Sequence, residues 1–421
     1  MTEKLLQFIW LHQYFNAVDL QTKEGENLQI LKCGEINRNQ GADFLNAIIK
    51  VNNIKLAGNI ELHVKSSDWE KHHHSSDKNY SNVILHVVWE SDKLISAKHL
   101  PVLVLQERVP KILLKKYEQL MNNAEDIACS KFLPALNELS WLNWKERLVM
   151  ERLQQKSERI LRLLQESNNH WEEVFWQTIA YNFGVKVNAE PFLQLAKSVP
   201  INILAKHKNQ IHQLEALLLG QANLLNENFK ESYPKMLQKE YLFLSKKYHL
   251  VKINTAPHFL RMRPANFPTV RLAQLAMLIH QSSHLFSIIK ETSDIKKIKT
   301  LFNITANDYW HTHYIFDEES ECKEKRLGIS TVNNVIINTV VPVLFAYGLY
   351  INDKTYTQRA LQWLSEIKAE ENSIVKKISQ YKIPCTNALD SQAFIQLYKN
   401  YCVPKNCLKC AVGNRVLRER F

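Results

Sequence analysis

In GNIELHVKSSDW an acid, an imidazole and an ammonium recur at every second position, so an extended strand would project Glu61, His63 and Lys65 from one face and Leu62 and Val64 from the other. Asp43, in GADF, precedes Glu61 by 18 residues. An antiparallel hairpin of that length would return the two carboxylates to one another. Converging carboxylates hold magnesium or manganese through oxygen. Such an ion lowers the pKa of a bound water and stabilises charge developing on a phosphate. The chemistry suggested is metal-assisted hydrolysis, with Asp43 and Glu61 as ligands and His63 or Lys65 orienting or deprotonating water.

More ligating groups surround this row. His86 interrupts the apolar run VILHVVW, where a polar side chain needs a partner. Asp68 and Trp69 follow the central strand, and His72, His73, His74, Asp77 and Tyr80 fill the next loop. Glu35, on the preceding strand, could add a carboxylate. Imidazole suits zinc better than magnesium, so a zinc hydrolase using His63 and His86, with His72 and His74 as accessory groups, is the chemical rival. The plain alternative is a hairpin whose alternate polar residues face water.

An aspartate at a strand head followed by Glu-x-His on the next strand resembles the core of the PD-(D/E)xK nuclease superfamily. That resemblance implies a restriction-endonuclease-like mixed sheet in which Asp43 and Glu61 bind the metal. His63 stands where the superfamily carries lysine, unless Lys65 supplies the ammonium, and Ala42 stands where a proline is usual. These departures support the competing function, a catalytically inactive nucleic-acid-binding or scaffolding protein. The separated segments GADF, GNIELHVKSSDW, HHHSSDKNYSNVILHVV, EALLLGQANLL, RMRPANFPTVRLAQLA and YCVPKNCLKC also resemble, in order and over nearly the full length, a bacterial family designated domain of unknown function 2851. That second resemblance implies no activity.

The elements that would position these groups can be read from periodicity. Apolar spacing predicts a helix over 4–18; LQILKCGEIN, FLNAIIKV, LAGNIELHVK, NVILHVVWE and PVLVLQERV predict about five strands. Beyond Lys111 eight or so helical patterns follow, and only nine glycines in 421 residues agree with long helices. The expected fold is α+β: a PD-(D/E)xK-like domain over 1–125, a basic helical domain over 126–380, and a C-terminal helix with a cysteine knuckle over 381–421. No export signal is evident in MTEKLLQFIWLHQYF, and no apolar run is read as reaching the roughly 20 residues of a membrane span. A cytoplasmic protein without a membrane partner is expected.

Charge divides unevenly. Residues 1–130 carry 15 Lys+Arg against 16 Asp+Glu, leaving 39 against 26 on residues 131–421. A basic helical body favours polyanions, so nucleic acid is the expected partner, DNA in preference to RNA. Arg261, Arg263 and Arg271 surround a helix start in RMRPANFPTVRLAQLA and form a candidate phosphate pocket; pairing with a buried acid such as Glu215 is the structural alternative. Lys145, Arg152, Lys156 and Arg159 form a helical stripe that could track a backbone. Of seven cysteines, Cys407-x-x-Cys410 makes a tight knuckle, Cys402 lies just before it, and Cys385 could complete four thiolates around structural zinc or an iron–sulfur cluster.

Overall fold

A computed structural model describes residues 1–37, 39–93, 100–135, 137–260, 262–282 and 284–418. The fold is α+β, a mixed sheet followed by a large helical part. The chain gathers into two compact units, Met1–Glu138 with Tyr398–Phe421, and Leu139–Leu397. The first unit is therefore discontinuous in sequence.

The sheet of the first unit contains β1 (Leu28–Lys32), β2 (Glu35–Ile36), β3 (Phe44–Val51), β4 (Ile54–Lys65), β5 (Val83–Glu90) and β6 (Val102–Val104). Spatial order is β1-β3-β4-β5-β6, with β2 also pairing on β3. β3 and β4 form the expected antiparallel hairpin, turning at Asn52, whose φ of 50° suits a tight corner. β5 and β6 then run parallel to their neighbours, so Glu61 stands opposite His86 and His63 opposite Val88. Gly58 permits the start of this parallel pairing, because a Cβ there would lie 2.5 Å from the Asn82 carbonyl oxygen and from Ile84 Cγ2.

Helix α1 (Glu3–Leu11) is shorter than its apolar pattern suggests. Thr2 caps its start, and Gln13, with φ of 50°, turns the chain away after His12. Leu5, Leu6, Phe8, Ile9 and Trp10 are buried, and Trp10 Nε1 donates to the Cys33 carbonyl at 3.0 Å. Each such side chain contributes about 1.5–3 kcal/mol through burial. That packing holds α1 on the sheet and brings Gln7 to Asp43. In β4 the sequence Ile60-Glu61-Leu62-His63 is buried throughout, so its polar residues do not face water.

The second unit is helical, beginning with α4 (Glu138–Glu166) and α5 (Trp171–Phe183); two shorter helices precede them in the first unit, α2 (Asp68–Lys71) and α3 (Lys111–Asn122). Phe175, Trp176 and Phe183 of α5 are core residues, as their spacing predicts. The basic stripe of α4 is used inside this unit. Lys145 is buried against Asp390 at 2.8 Å, Arg152 donates to Gln392, Lys156 donates to Asn338, and Arg159 lies 3.7 Å from the centroid of the Tyr181 ring.

The continuous helical stretch Ile329–Tyr350 corrects the expectation about apolar length. It has 22 residues and a mean hydropathy of 1.6, enough by length and composition to cross a membrane, yet two thirds of it is buried in the protein. Its middle turn, Ile336–Val340, widens to a π-helix before Pro342, which has no amide hydrogen to return to the Asn338 carbonyl. Asn182 Nδ2 donates to that carbonyl at 3.1 Å.

Candidate metal centre

The β3–β4 hairpin brings Asp43 and Glu61 together. Asp43 donates its backbone N–H to Glu61 Oε2 at 3.0 Å, and Leu62 N–H donates to Asp43 Oδ2 at 3.1 Å. Gln7 Nε2, from α1, donates to Asp43 Oδ1 at 2.8 Å. Both carboxyls are thereby oriented, and Glu61 Oε1 points the other way, lying 3.5 Å from His63 Nε2 and 3.5 Å from His74 Nε2.

Three imidazoles converge on that oxygen's side. One ring nitrogen from each of His63, His72 and His74 lies within 4.8 Å of the other two. His63 comes from β4 and is 1% exposed. His72 and His74 come from the loop after α2, where His73 adopts φ of 59° and ψ of 29°. That left-handed turn sends His73 to solvent and carries His72 and His74 toward the same pocket. Trp69 packs edge-on against His74, and the Tyr80 ring stacks on His74 with centroids 3.7 Å apart. His72 is exposed, so the cluster is buried behind and open in front.

His86 completes the arrangement from behind. Its Nε2 shares a 2.9 Å hydrogen bond with His63 Nδ1. If His63 supplies the hydrogen, its Nε2 carries the lone pair, 3.2 Å from its hydrogen-bond partner His72 Nδ1 and 3.5 Å from Glu61 Oε1, the tautomer a metal ligand needs. Both ring nitrogens of His74 and Nδ1 of His86 are buried without a hydrogen-bond partner. Unpaired buried nitrogens are costly in a finished core, and these are free to act as ligand atoms.

The charge state of these groups follows from their burial. Burial lowers His63 to about 3, helped by the neighbouring imidazoles, and lowers His86 to about 4. His74 is lowered for the same first reason. These rings are neutral near pH 7 and present lone pairs. Burial also raises Asp43 to about 6 and Glu61 to about 8, the second reinforced by the charge of Asp43. At pH 7 Glu61 keeps its proton while Asp43 is largely ionised, and beside the uncharged rings of His63, His74 and His86 a divalent ion would be the main positive charge of the pocket.

The other expected groups lie elsewhere. Lys65 Nζ pairs with Glu90 at 3.2 Å at the exposed end of β4, and Glu35 pairs with Lys32. In the second unit Arg261 falls outside the described residues, Arg263 is exposed, and Arg271 is 6% exposed with its fork held by Gln274 and Asn266. Glu215, fully buried, accepts from Tyr233 and Trp310, and among the described residues Arg271 has no carboxylate within ion-pair reach. Cys385 also belongs to that unit, where Asp390, Lys145 and Glu370 act on its thiol. Gln7 carried no sequence signal for this site, because nothing in α1 marks one polar residue as facing a strand head 36 residues away.

Neither the curated proteins nor the solved structures yield a match to this chain. A family match does extend over residues 3–373, spanning the histidine cluster, both carboxyls and most of the helical unit. The chain belongs to the DUF2851 family of proteins of unknown function.

Proposed function

We propose that the sheet unit is a metal-dependent hydrolase acting on phosphodiester bonds of nucleic acid, with the ion held by His63, His72, His74 and Glu61. The observation that carries this reading is the convergence of three imidazole nitrogens within 4.8 Å, with Glu61 Oε1 3.5 Å from two of them. A nitrogen-rich set with one carboxylate favours zinc or manganese over magnesium. The exposed edge at His72 leaves room for water and substrate.

A bound divalent ion would supply an activated water and a counter-charge for the phosphate. The protein's part is positioning and proton transfer. His86 holds the His63 tautomer, Asp43 N–H orients Glu61, and Asp43, raised to about 6, is poised to carry a proton near neutral pH. The basic balance of residues 131–421 supports a polyanionic substrate.

Cleavage of mixed DNA and RNA substrates by tag-free protein with zinc, manganese or magnesium tests the proposal. Zinc- or manganese-dependent cleavage lost in His74→Ala and Glu61→Gln is expected; equal activity in all three proteins would refute it. A second reading, magnesium bridging Asp43 and Glu61 with no role for the imidazoles, is favoured by the pairing of the two raised carboxyls. Magnesium-dependent cleavage that survives His74→Ala would select it.

A further inference from the structure

We propose that the helical unit holds a second binding site, for a small organic anion with an apolar body, in the cavity between α4, α5 and the π-helical turn Ile336–Val340. The cavity has a volume of about 260 Å³. That is close to the lower end of the roughly 300–1,000 Å³ typical of small-molecule pockets. Its floor is apolar and buried, made by Ile160 and Leu163 of α4, Leu193 of α6 (Val185–Ser198) and Pro342. Its rim is polar and half-buried, made by Lys156, Arg159, Tyr181, Asn182 and Asn338. Two of these are cations, and among the described residues no acid lines the cavity.

The sequence assembles this rim from three elements. Lys156 and Arg159 stand three apart on α4, so their side chains leave the same side of the helix. The widened turn before Pro342 supplies Asn338. Its Oδ1 accepts from Lys156 Nζ at 2.9 Å, and its carbonyl, without an amide partner at Pro342, accepts from Asn182 Nδ2 at 3.1 Å. Asn182 Nδ2 also donates to Thr339 Oγ1 at 2.8 Å. This part of the rim is fixed before any ligand arrives, which lowers the entropic cost of binding.

Arg159 is held differently. Its guanidinium lies over the Tyr181 ring, 3.7 Å from the centroid, and among the described residues it has no carboxylate or hydrogen-bond partner. A guanidinium stacked on a ring keeps its donor fork available, and that fork matches the paired oxygens of a carboxylate or phosphate. The head group of the anion therefore belongs at Arg159 and Lys156, and its apolar body on the floor. An extended nucleic-acid strand would use the cations but leave the floor empty, so a compact ligand matches the cavity better. This site does not depend on the hydrolase reading of the sheet unit.

The test uses full-length, tag-free protein in chelator, so that no ion at the histidine cluster can hold the added anion. Adenosine 5′-monophosphate and octanoate are titrated by calorimetry, with adenosine, octanol and inorganic phosphate as counterparts lacking the head group or the body. One of the two anions is expected to bind once per chain, more tightly than about 1 mM, and which one does so distinguishes a phosphate from a carboxylate head. Its counterparts should bind about 10- to 100-fold more weakly, and Arg159→Gln should weaken the anion by a similar factor while leaving urea unfolding nearly unchanged. Binding of neither anion, equal binding of the neutral counterpart, or undiminished binding in Arg159→Gln would each overturn the proposal. Oligonucleotide binding that is lost in Arg159→Gln while neither small anion binds would assign the rim to nucleic acid and overturn it as well. Should Arg159→Gln not fold, hydrogen exchange of the parent decides: the bound anion should slow exchange in residues 178–182 and 336–340, and protection confined to other segments overturns it.

Discussion

Replacing Glu61 by glutamine should stabilise the metal-free protein and at the same time remove its response to metal. In the folded chain Glu61 titrates at about 8, against 4.5 for the ordinary side chain. Between those values the unfolded chain is ionised while the folded carboxyl keeps its proton, so the folded state binds more protons and stability falls as pH rises. Each pH unit across that interval corresponds to about 1.36 kcal/mol, and the span from 4.5 to 7 therefore costs about 3 kcal/mol at neutral pH. Glutamine avoids this cost. Its oxygen can accept the Asp43 N–H, and its amide can donate to the unpaired Nε2 of His74, 3.5 Å from Oε1 in the wild type. The melting temperature of the sheet unit should rise by roughly 6–12 °C at pH 7 in chelator. The difference between the two melting curves across pH reports residue 61 together with the groups it touches, Asp43 and His63. The advantage should be near zero at pH 4.5, grow through neutrality and level off above about pH 8. Adding zinc or manganese should reverse the order, since an ion at about 1,000 times its dissociation constant stabilises only the wild type, by about 4.1 kcal/mol. An advantage as large at pH 4.5 as at pH 7.5, or none at either, would refute the assignment of Glu61 as a buried, proton-bearing ligand.

Three further outcomes can be checked independently. At pH 7 metal binding should release about one proton per ion from Glu61, which is protonated while His63 and His74 are neutral; calorimetry in two buffers of different ionisation enthalpy measures it, and zero release would contradict the raised carboxyl. His86→Leu should keep the fold but weaken metal binding about 10- to 100-fold, because the partner that sets the His63 tautomer is gone; unchanged affinity in a metal titration counts against that role. In the second unit, Lys145→Met should cost about 3–5 kcal/mol in urea unfolding by leaving Asp390 buried beside Thr386 without its cation, and Lys145→Met/Asp390→Leu should recover part of the loss.

Much of the first unit was legible because local patterns and tertiary demands coincide there. Glu61 and His63 share a face by alternation alone, and the 18-residue spacing to Asp43 is that of a short-looped hairpin. The three consecutive histidines advertised a ligand cluster, but choosing His72 and His74 over His73 required the left-handed backbone between them, which periodicity does not encode. The stripe on α4 misled for a physical reason: lysine and arginine stems bury readily when amides and one aspartate wait at their tips, so a basic face on a helix does not by itself mean solvent. Arg271 shows the same limit, since its burial depends on the packing of an entire helix.

The discontinuity of the first unit has a consequence for biosynthesis. Residues 1–138 leave the ribosome long before Tyr398–Phe421, with Leu139–Leu397 translated in between. At about 5–20 residues per second, that delay is on the order of 10–50 s. During this interval the nascent sheet lacks the segment whose Asn414 accepts from Tyr14 and whose Val416 carbonyl accepts from Lys116, so α1 and α3 wait half-clothed. A stop codon shortly before Tyr398 would thus injure the amino-terminal third of the polypeptide, and chaperone dependence should track the tail rather than the much larger insert.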